Sequence, residues 1–134
     1  MHYNGKSMKD VTAALIARDE KVLIAKRKKG SHLEFKWEFP GGKVERGETP
    51  KKCLERELWE EFGINTKTGK FIVSSVFDYK NIKINLMAYH SKYISGEFIL
   101  HAHEEIKWVL PRQMKNFDFA EADLPIIDKL LENI

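Results

Sequence analysis

Short apolar segments and two amphipathic segments follow one another along the chain, and their spacing predicts strands and helices. Five segments have the length and the β-branched or aromatic content of strands; they are 11–18, 21–27, 71–79, 82–90 and 105–109. The first two flank Asp19-Glu20 and the next two flank Lys80-Asn81, so each pair predicts a β-hairpin with a short turn. Apolar and polar side chains alternate from Ile82 to Ala88, as in a strand with one buried face.

The first helix is predicted between residues 50 and 62. Thr49 can cap its N-terminus, Pro50 suits the first helical position, and Gly63 suits the C-terminal cap. Its apolar stripe consists of Leu54, Leu58 and Phe62.

The second helix is predicted between residues 124 and 132, with Asp123 as its N-cap. An apolar stripe marks its buried face and contains Ile127, Leu130 and Leu131. Several strands with two helices predict an α/β or α+β fold in which helices cover a mixed sheet. No linker-like stretch divides the 134 residues, so a single domain over residues 1–134 is expected.

Composition narrows the function classes. The 23 Lys and Arg exceed the 20 Asp and Glu by only three charges, too few to predict nucleic-acid binding. No apolar run approaches the roughly 20 residues that cross a bilayer, and the first ten residues lack the apolar segment of a secretory signal. A single cysteine, Cys53, is typical of a reducing compartment. We therefore expect a cytoplasmic protein that binds neither membranes nor nucleic acids.

Acidic side chains of the first helix provide the strongest chemical signal. Glu57, Glu60 and Glu61 stand at i, i+3 and i+4, so they share one face, and that face adjoins the apolar stripe. Crowded like charges near a core destabilise the helix unless a cation offsets them, and carboxylate oxygens suit Mg²⁺ or Mn²⁺. The alternative is a solvated acidic face on which Arg56 pairs with Glu60.

A glycine corner precedes this helix. Gly41 and Gly42 allow the backbone to approach a ligand closely, and Lys43 follows them directly.

The string from Gly42 to Ile64 resembles the Nudix box at all nine of its defined positions, which are Gly42, Glu48, Arg56, Glu57, Leu58, Glu60, Glu61, Gly63 and Ile64. The segments 37–45 and 122–127 are similar to those of the MutT-like branch. This resemblance implies an α/β/α sandwich with a central mixed sheet and the box loop and helix on one side.

The resemblance also implies a reaction and a metal site. MutT-like members cut nucleoside triphosphates to a monophosphate and pyrophosphate with a divalent cation. By resemblance, the metal ligands are Glu57, Glu60, Glu61 and the backbone carbonyl of Gly41, and Glu57 or a neighbouring ligand takes the proton of the attacking water. Arg56 is expected to orient this cluster, with Glu48 as its ion-pair partner.

One position departs from the MutT-like pattern. Relatives often carry a further Glu six residues before the Trp that corresponds to Trp108, but this chain has Ala102 there. Glu104 is the candidate replacement as a catalytic base; otherwise the box itself must supply the base. The alternative is a polar loop that contains His101, His103, Glu104 and Glu105.

Substrate contacts are expected from further positions outside the acidic helix. Arg27 and Lys43 are candidates for phosphate contacts, with surface cations as the alternative. Phe39 and Phe77 are candidates for a flat apolar slot around the base, as are Trp37, Tyr79, Phe117 and Phe119, although most of these aromatic residues are expected in the core.

Asp123 is the candidate for direct contact with the base, in competition with its capping role. It corresponds to an Asn of the oxidised-guanine-specific relatives, and an ionised Asp only accepts hydrogen bonds where Asn also donates. The segment 122–125 is similar to that of CTP pyrophosphohydrolases. A broad or cytidine-type triphosphatase is therefore expected, with a strict 8-oxo-dGTP diphosphatase as the runner-up.

Two other functions remain open at this point. A nucleotide-sugar or dinucleotide hydrolase would use the same box, and a catalytically dead module would bind nucleotides without cleaving them. The intact set of Arg56 and the three glutamates argues against a dead module. We expect a monomer or homodimer with a small nucleotide as its partner.

Overall fold

The computed structural model describes residues 2–3, 6–80 and 82–132. Within this part the strands are β1 (His2–Tyr3), β2 (Lys6–Arg18), β3 (Lys21–Arg27), β4 (Trp37–Glu38), β5 (Asn65–Tyr79), β6 (Ile82–Ser95) and β7 (His103–Val109). The α-helices are α1 (Pro50–Phe62) and α2 (Leu124–Glu132), and 3₁₀ turns occupy Pro111–Asn116 and Glu121–Asp123.

The sheet is mixed, with the strand order β4-β3-β2-β6-β5. At its centre β2 runs parallel to β6, where Met8 pairs with Lys83 and Ile16 with Ser91. The other neighbouring strands pair antiparallel, including β7, which pairs with β3 outside this main path. A central mixed sheet confirms the predicted fold class.

Both predicted hairpins are present. Arg18 pairs with Lys21 across a turn in which Asp19 and Glu20 have φ values of 51° and 68°. Two successive residues with positive φ are characteristic of the type I′ turn, whose twist matches that of the flanking strands. The second hairpin joins β5 to β6 through the pair Tyr79 and Ile82; residue 81 of its predicted turn lies outside the described residues.

Two hydrophobic clusters lie on opposite faces of the sheet. The alternation of β2 divides its side chains between them: Ala13 and Leu15 join the cluster that contains Ile126 and Ile127 of α2. Ala14 and Ile16 join the cluster under α1 that contains Leu54, Leu58 and Phe62. The helices therefore cover both faces, which confirms the α/β/α sandwich.

Helix α1 has the predicted bounds and caps. The Lys52 amide donates to the Thr49 hydroxyl at 3.2 Å, and Pro50 occupies the first turn. Gly63 ends the helix in the left-handed conformation, with φ of 71° and its N–H bonded to the Trp59 carbonyl at 2.8 Å. These caps fix where α1 begins and ends, and therefore where its acidic face lies relative to the preceding loop.

Helix α2 also has the predicted bounds, although a 3₁₀ turn that ends at Asp123 precedes it. Its buried side chains are Ile126 and Ile127. Across residues 2–3, 6–80 and 82–132, no helix is long and apolar enough to cross a membrane.

The packing of α1 predicts a contrast between two of its positions. Leu58 is fully buried, so Leu58→Ala should lower the free energy of unfolding by about 2–5 kcal/mol through lost burial and a residual cavity. Lys51 is exposed on the same helix, and Lys51→Ala should change it by less than about 0.5 kcal/mol. Urea denaturation of both variants tests this, and equal effects would contradict the assigned face of α1.

Candidate active site

The glycine corner is held tightly against β2. The Ala14 amide donates to the Pro40 carbonyl and the Thr12 amide to the Gly42 carbonyl, both at 2.8 Å. A Cβ on Gly41 would stand 2.0 Å from the Thr12 carbonyl oxygen, so no other residue fits there without moving the backbone.

Gly42 gives the Glu57 carboxylate a place against the backbone. A Cβ on Gly42 would lie 1.5 Å from Glu57 Oε2. The glycine therefore lets the carboxylate of α1 reach the loop, and any larger residue would displace it.

Arg56 connects the loop to the acidic face of α1. Its Nε and Nη2 donate to the two oxygens of Glu48 at 2.7 and 3.0 Å, a bidentate pair. Its Nη1 donates to Glu57 at 3.3 Å and to Glu60 at 3.0 Å, while Nη2 also reaches the Lys43 carbonyl at 3.1 Å. The expected pair with Glu48 and the alternative pair with Glu60 are thus both present.

The carboxylates around Arg56 differ in their preferred protonation. The Arg56 guanidinium lowers the pKa of Glu48 from 4.5 to about 2. Burial raises the pKa of Glu57 to about 7, and neighbouring Glu60 adds to the rise while Arg56 opposes it. Burial, followed by the charges of Glu38 and Glu57, raises the pKa of Glu61 well above its usual range. Negative charge on this face is therefore unfavourable without a further cation.

The donor set fits a hard divalent cation. Glu61 Oε1 is buried and has no hydrogen-bond partner among the described residues. The Gly41 N–H lies beside the Glu61 carboxylate and favours its charged form, so the glycine corner and this carboxylate are neighbours. All the donors are oxygens, as Mg²⁺ and Mn²⁺ prefer. Among residues 2–3, 6–80 and 82–132, no three His, Cys, Asp or Glu side chains already form a metal cage.

A cavity of about 620 Å³ opens beside the glycine corner. Its walls come from β2, the glycine corner, the loop after β3, the tip of the β5–β6 hairpin and the segment before α2. Apolar side chains on these walls include Val11, Leu33, Phe39, Ile82, Ile84 and Leu86. The volume and the apolar lining suit a small organic ligand.

Most of the predicted substrate residues line this cavity. Arg27, Lys43, Phe39 and Asp123 all contribute to its walls. Phe77 instead packs against the core and the Tyr79 ring, with the ring centroids 4.6 Å apart, and Tyr79 is the member of this pair that lines the cavity.

Asp123 is buried at the cavity wall and reaches across to the lead-in of the box. Its Oδ2 accepts from the Phe39 amide at 2.8 Å. This bond takes the place of the predicted capping bond to the first turn of α2, because the side chain is directed to the loop instead. Burial and the nearby Glu38 charge raise the pKa of Asp123 well above its usual range, which favours the protonated carboxyl.

Glu38 is a cavity residue that the sequence analysis did not single out. Its carboxylate accepts from Arg27 Nη1 at 3.2 Å and pairs with His103 Nε2 at 2.8 Å. It lies in the segment 37–45, which resembles the MutT-like branch, but a lone acidic residue in a short strand carries no signal of its own. Only the convergence of β3, β4 and β7 shows that it faces the cavity with two partners.

Glu104 is the second residue of β7, two positions after Ala102. Its carboxylate is 3.7 Å from the Lys26 ammonium and its side chain is 43% exposed. Its predicted role as a base therefore depends on its leaving this weak surface pair.

The Arg56–Glu48 pair predicts a loss of stability in acid. Since the pKa of Glu48 is about 2 in the fold and 4.5 without its partners, the pair stabilises the protein above pH 4.5, and this contribution disappears as the pH falls toward 2. The free energy of unfolding in urea should fall over this range in the parent protein and less steeply in Glu48→Gln. Glu132→Gln, at an exposed acid of α2, is the matched control, and parallel curves for all three proteins would contradict the assignment.

Comparison with known proteins places this geometry in a family. Residues 7–130 match the NUDIX domain. The chain is 36% identical over 124 residues to the CTP pyrophosphohydrolase of Escherichia coli, covering 92% of each protein. It is 32% identical over 117 residues to the 8-oxo-dGTP diphosphatase of the same organism, covering 86% of this chain and 91% of that protein.

The fold comparison agrees. The solution structure of the E. coli ORF135 protein superimposes with a TM-score of 0.87 and 33% identity, over 98% of this chain and 94% of that one. Since the domain match and both relatives span most of the chain, and the box residues converge in the structure, this protein belongs to the Nudix family of hydrolases.

Proposed function

We propose that the protein is a Mg²⁺-dependent nucleoside triphosphate pyrophosphohydrolase that releases a nucleoside monophosphate and pyrophosphate, with a preference for cytosine or modified bases. One observation carries this proposal. The segment from Gly41 to Lys43 touches the Glu57 carboxylate and also lines the cavity that contains Glu38 and Asp123. A single nucleotide could therefore place its polyphosphate at the box and its base in the cavity.

The metal ligands, Arg56 and Lys43 have separate roles around the phosphates. Mg²⁺, or Mn²⁺ in its place, would be held by Glu57, Glu60, Glu61 and the Gly41 carbonyl, and it would neutralise phosphate charge and lower the pKa of bound water. Arg56 holds Glu57 and Glu60 in register with the loop. Lys43, at the cavity wall beside the box, supplies a positive charge for the phosphates.

A proton acceptor for the attacking water is available within the box. With alanine at position 102, we assign this role to Glu57 or Glu60, and Glu104 is the other candidate. Arg27 is the second phosphate candidate, although its guanidinium bonds to Glu38 and to the His32 carbonyl. A phosphate contact would have to compete with, or extend, these bonds.

The two acidic groups of the cavity favour one hydrogen-bonding pattern. Glu38 receives donors from Arg27 and His103, so its carboxylate stays an acceptor. Asp123, with its raised pKa, can donate. Cytosine presents an amino donor next to a ring-nitrogen acceptor, which matches an acceptor beside a donor.

The relatives support this reading of the cavity. The E. coli protein with 36% identity is named a CTP pyrophosphohydrolase, and several others are named 8-oxo-dGTP diphosphatases. A strict 8-oxo-dGTP diphosphatase is therefore the second candidate. A nucleotide-sugar or dinucleotide hydrolase and a dead binding module have less support, since the cavity is small and the box is intact.

Removal of a metal ligand should abolish hydrolysis. Glu57→Gln and Glu60→Gln should each lower kcat/KM by more than about a hundredfold, because even outer partners of metal sites cost about 10- to 100-fold. The measurement is a panel of natural and oxidised nucleoside triphosphates, nucleotide sugars and dinucleotides with Mg²⁺, in which the released products are identified. Monophosphate and pyrophosphate are the expected products.

Two controls accompany this panel. Asp128→Asn removes an exposed carboxylate of α2 and should retain activity, and a chelator should stop hydrolysis by the parent protein. Near-parent turnover in both glutamine variants would contradict the metal assignment, whereas preferred cleavage of a nucleotide sugar would contradict the substrate class.

Substitution of Asp123 should change the ranking of bases. Asparagine keeps an oxygen for the Phe39 amide, but its NH₂ group only donates, whereas the second oxygen of Asp123 donates when protonated and accepts when ionised. We expect Asp123→Asn to change the kcat/KM ratios among CTP, 8-oxo-dGTP and dGTP by about tenfold, the scale of one base contact. An unchanged ranking, with an unfolding midpoint equal to that of the parent, would restrict Asp123 to the Phe39 bond.

A further inference from the structure

His103 is a buried histidine outside the box. It is 3% exposed at the first position of β7, and its ring stacks on Phe62 with centroids 5.3 Å apart and planes 8° from parallel. A bulge between Lys26 and Arg27 of β3 places it opposite Arg27. It is therefore packed between α1 and the strand that carries a cavity residue.

Among the described residues, one nitrogen of this imidazole has a hydrogen-bond partner and the other has none. Nε2 lies 2.8 Å from Glu38 Oε2, and Nδ1 is buried without a partner among the described residues. Because a carboxylate only accepts, the hydrogen stands on Nε2 and Nδ1 keeps its lone pair. The ring thus has one favourable tautomer and one orientation.

Glu38 consequently has two anchors on two different strands. His103 on β7 holds Oε2, and Arg27 on β3 donates from Nη1 to Oε1 at 3.2 Å. Glu38 lines the cavity with its side chain 17% exposed. These two hydrogen bonds fix the orientation of the Glu38 carboxylate, so its remaining lone pairs face the cavity in a defined direction.

We propose that His103 is a positioning residue for base selection: it orients the Glu38 carboxylate so that the cavity favours an amino-bearing pyrimidine, cytosine, over uracil. The inference rests on the proposed function for the identity of the ligand. Cytosine offers an amino hydrogen where uracil offers a carbonyl oxygen, so a fixed acceptor at that point attracts one and repels the other.

A purely space-filling role does not account for the same contacts. An apolar side chain would fill the gap beside Phe62 without leaving a ring nitrogen unpaired. The imidazole offers the Glu38 bond in return, and this bond fixes the direction of the carboxylate. Selectivity therefore distinguishes the two roles, whereas stability alone does not.

Three single variants and one double variant test the inference. His103→Phe keeps an aromatic ring on Phe62 but removes the donor, and His103→Gln retains a terminal N–H group. Glu38→Gln alters the acceptor itself. The double variant, which combines Glu38→Gln with His103→Phe, tests whether His103 affects selectivity through Glu38. His101→Gln, at the exposed histidine two residues earlier, is the matched control. The readouts are the Kd values of CMP and UMP by calorimetry and the KM and kcat values for CTP and UTP.

The parent should bind CMP more tightly than UMP. His103→Phe should lose about tenfold of this preference, mostly in Kd and KM and not in kcat, because a hydrogen bond to a charged group is at stake. His103→Gln and His101→Gln should retain it. In the double variant the loss should equal that of Glu38→Gln alone. Should His103→Phe fail to fold, His103→Leu takes its place.

Other outcomes overturn the inference. These are full selectivity in His103→Phe, equal loss for both nucleotides, additive losses in the double variant, or a parent that does not distinguish CMP from UMP. The binding assay needs no turnover, so a parent that selects CMP through His103 but hydrolyses no triphosphate would refute the proposed function and leave this inference standing.

Discussion

The active site depends on a single guanidinium placed among carboxylates. Arg56 binds Glu48 with two hydrogen bonds, reaches Glu57 and Glu60 with a third nitrogen and touches the Lys43 carbonyl. Without it, the acidic face of α1 would repel itself and lose its register with the glycine corner. Its planar geometry serves this purpose, since a lysine could not join two oxygens of one partner while reaching others. The arginine therefore converts a destabilising cluster of charges into an ordered one.

In the cavity, two carboxyl groups differ in their preferred protonation because their surroundings differ. Glu38 and Asp123 are neighbours, yet donors from Arg27 and His103 surround Glu38 while Asp123 is buried beside the Phe39 amide. Burial raises the pKa of Asp123, so two residues with the same functional group can serve as an acceptor and a donor. This division resembles the way enzymes obtain acid and base from two carboxyl groups.

The sequence predicted those features that local patterns determine. Both hairpins, the bounds and caps of α1, and the shared face of its glutamates follow from alternation, helical spacing and capping residues. The first six residues of β5 were missed because Asn65–Lys70 contains no apolar side chain, and their pairing depends on β6. Phe77 and Tyr79 were equal candidates in the sequence, and only the placement of the hairpin tip distinguishes them. Glu38 and His103 could not be found, since their contact joins residues 65 positions apart.

The parallel pairing at the centre of the sheet has a consequence for how the protein acquires its site. Each residue of β2 between Met8 and Ile16 pairs with a residue 75 positions later in β6. Because β2 supports the glycine corner and both β2 and β6 line the cavity, the cavity cannot be complete until most of the chain has been synthesised and this distant contact has closed. Such non-local contacts slow folding, so a nascent chain that lacks β6 would carry the complete box beside an incomplete cavity.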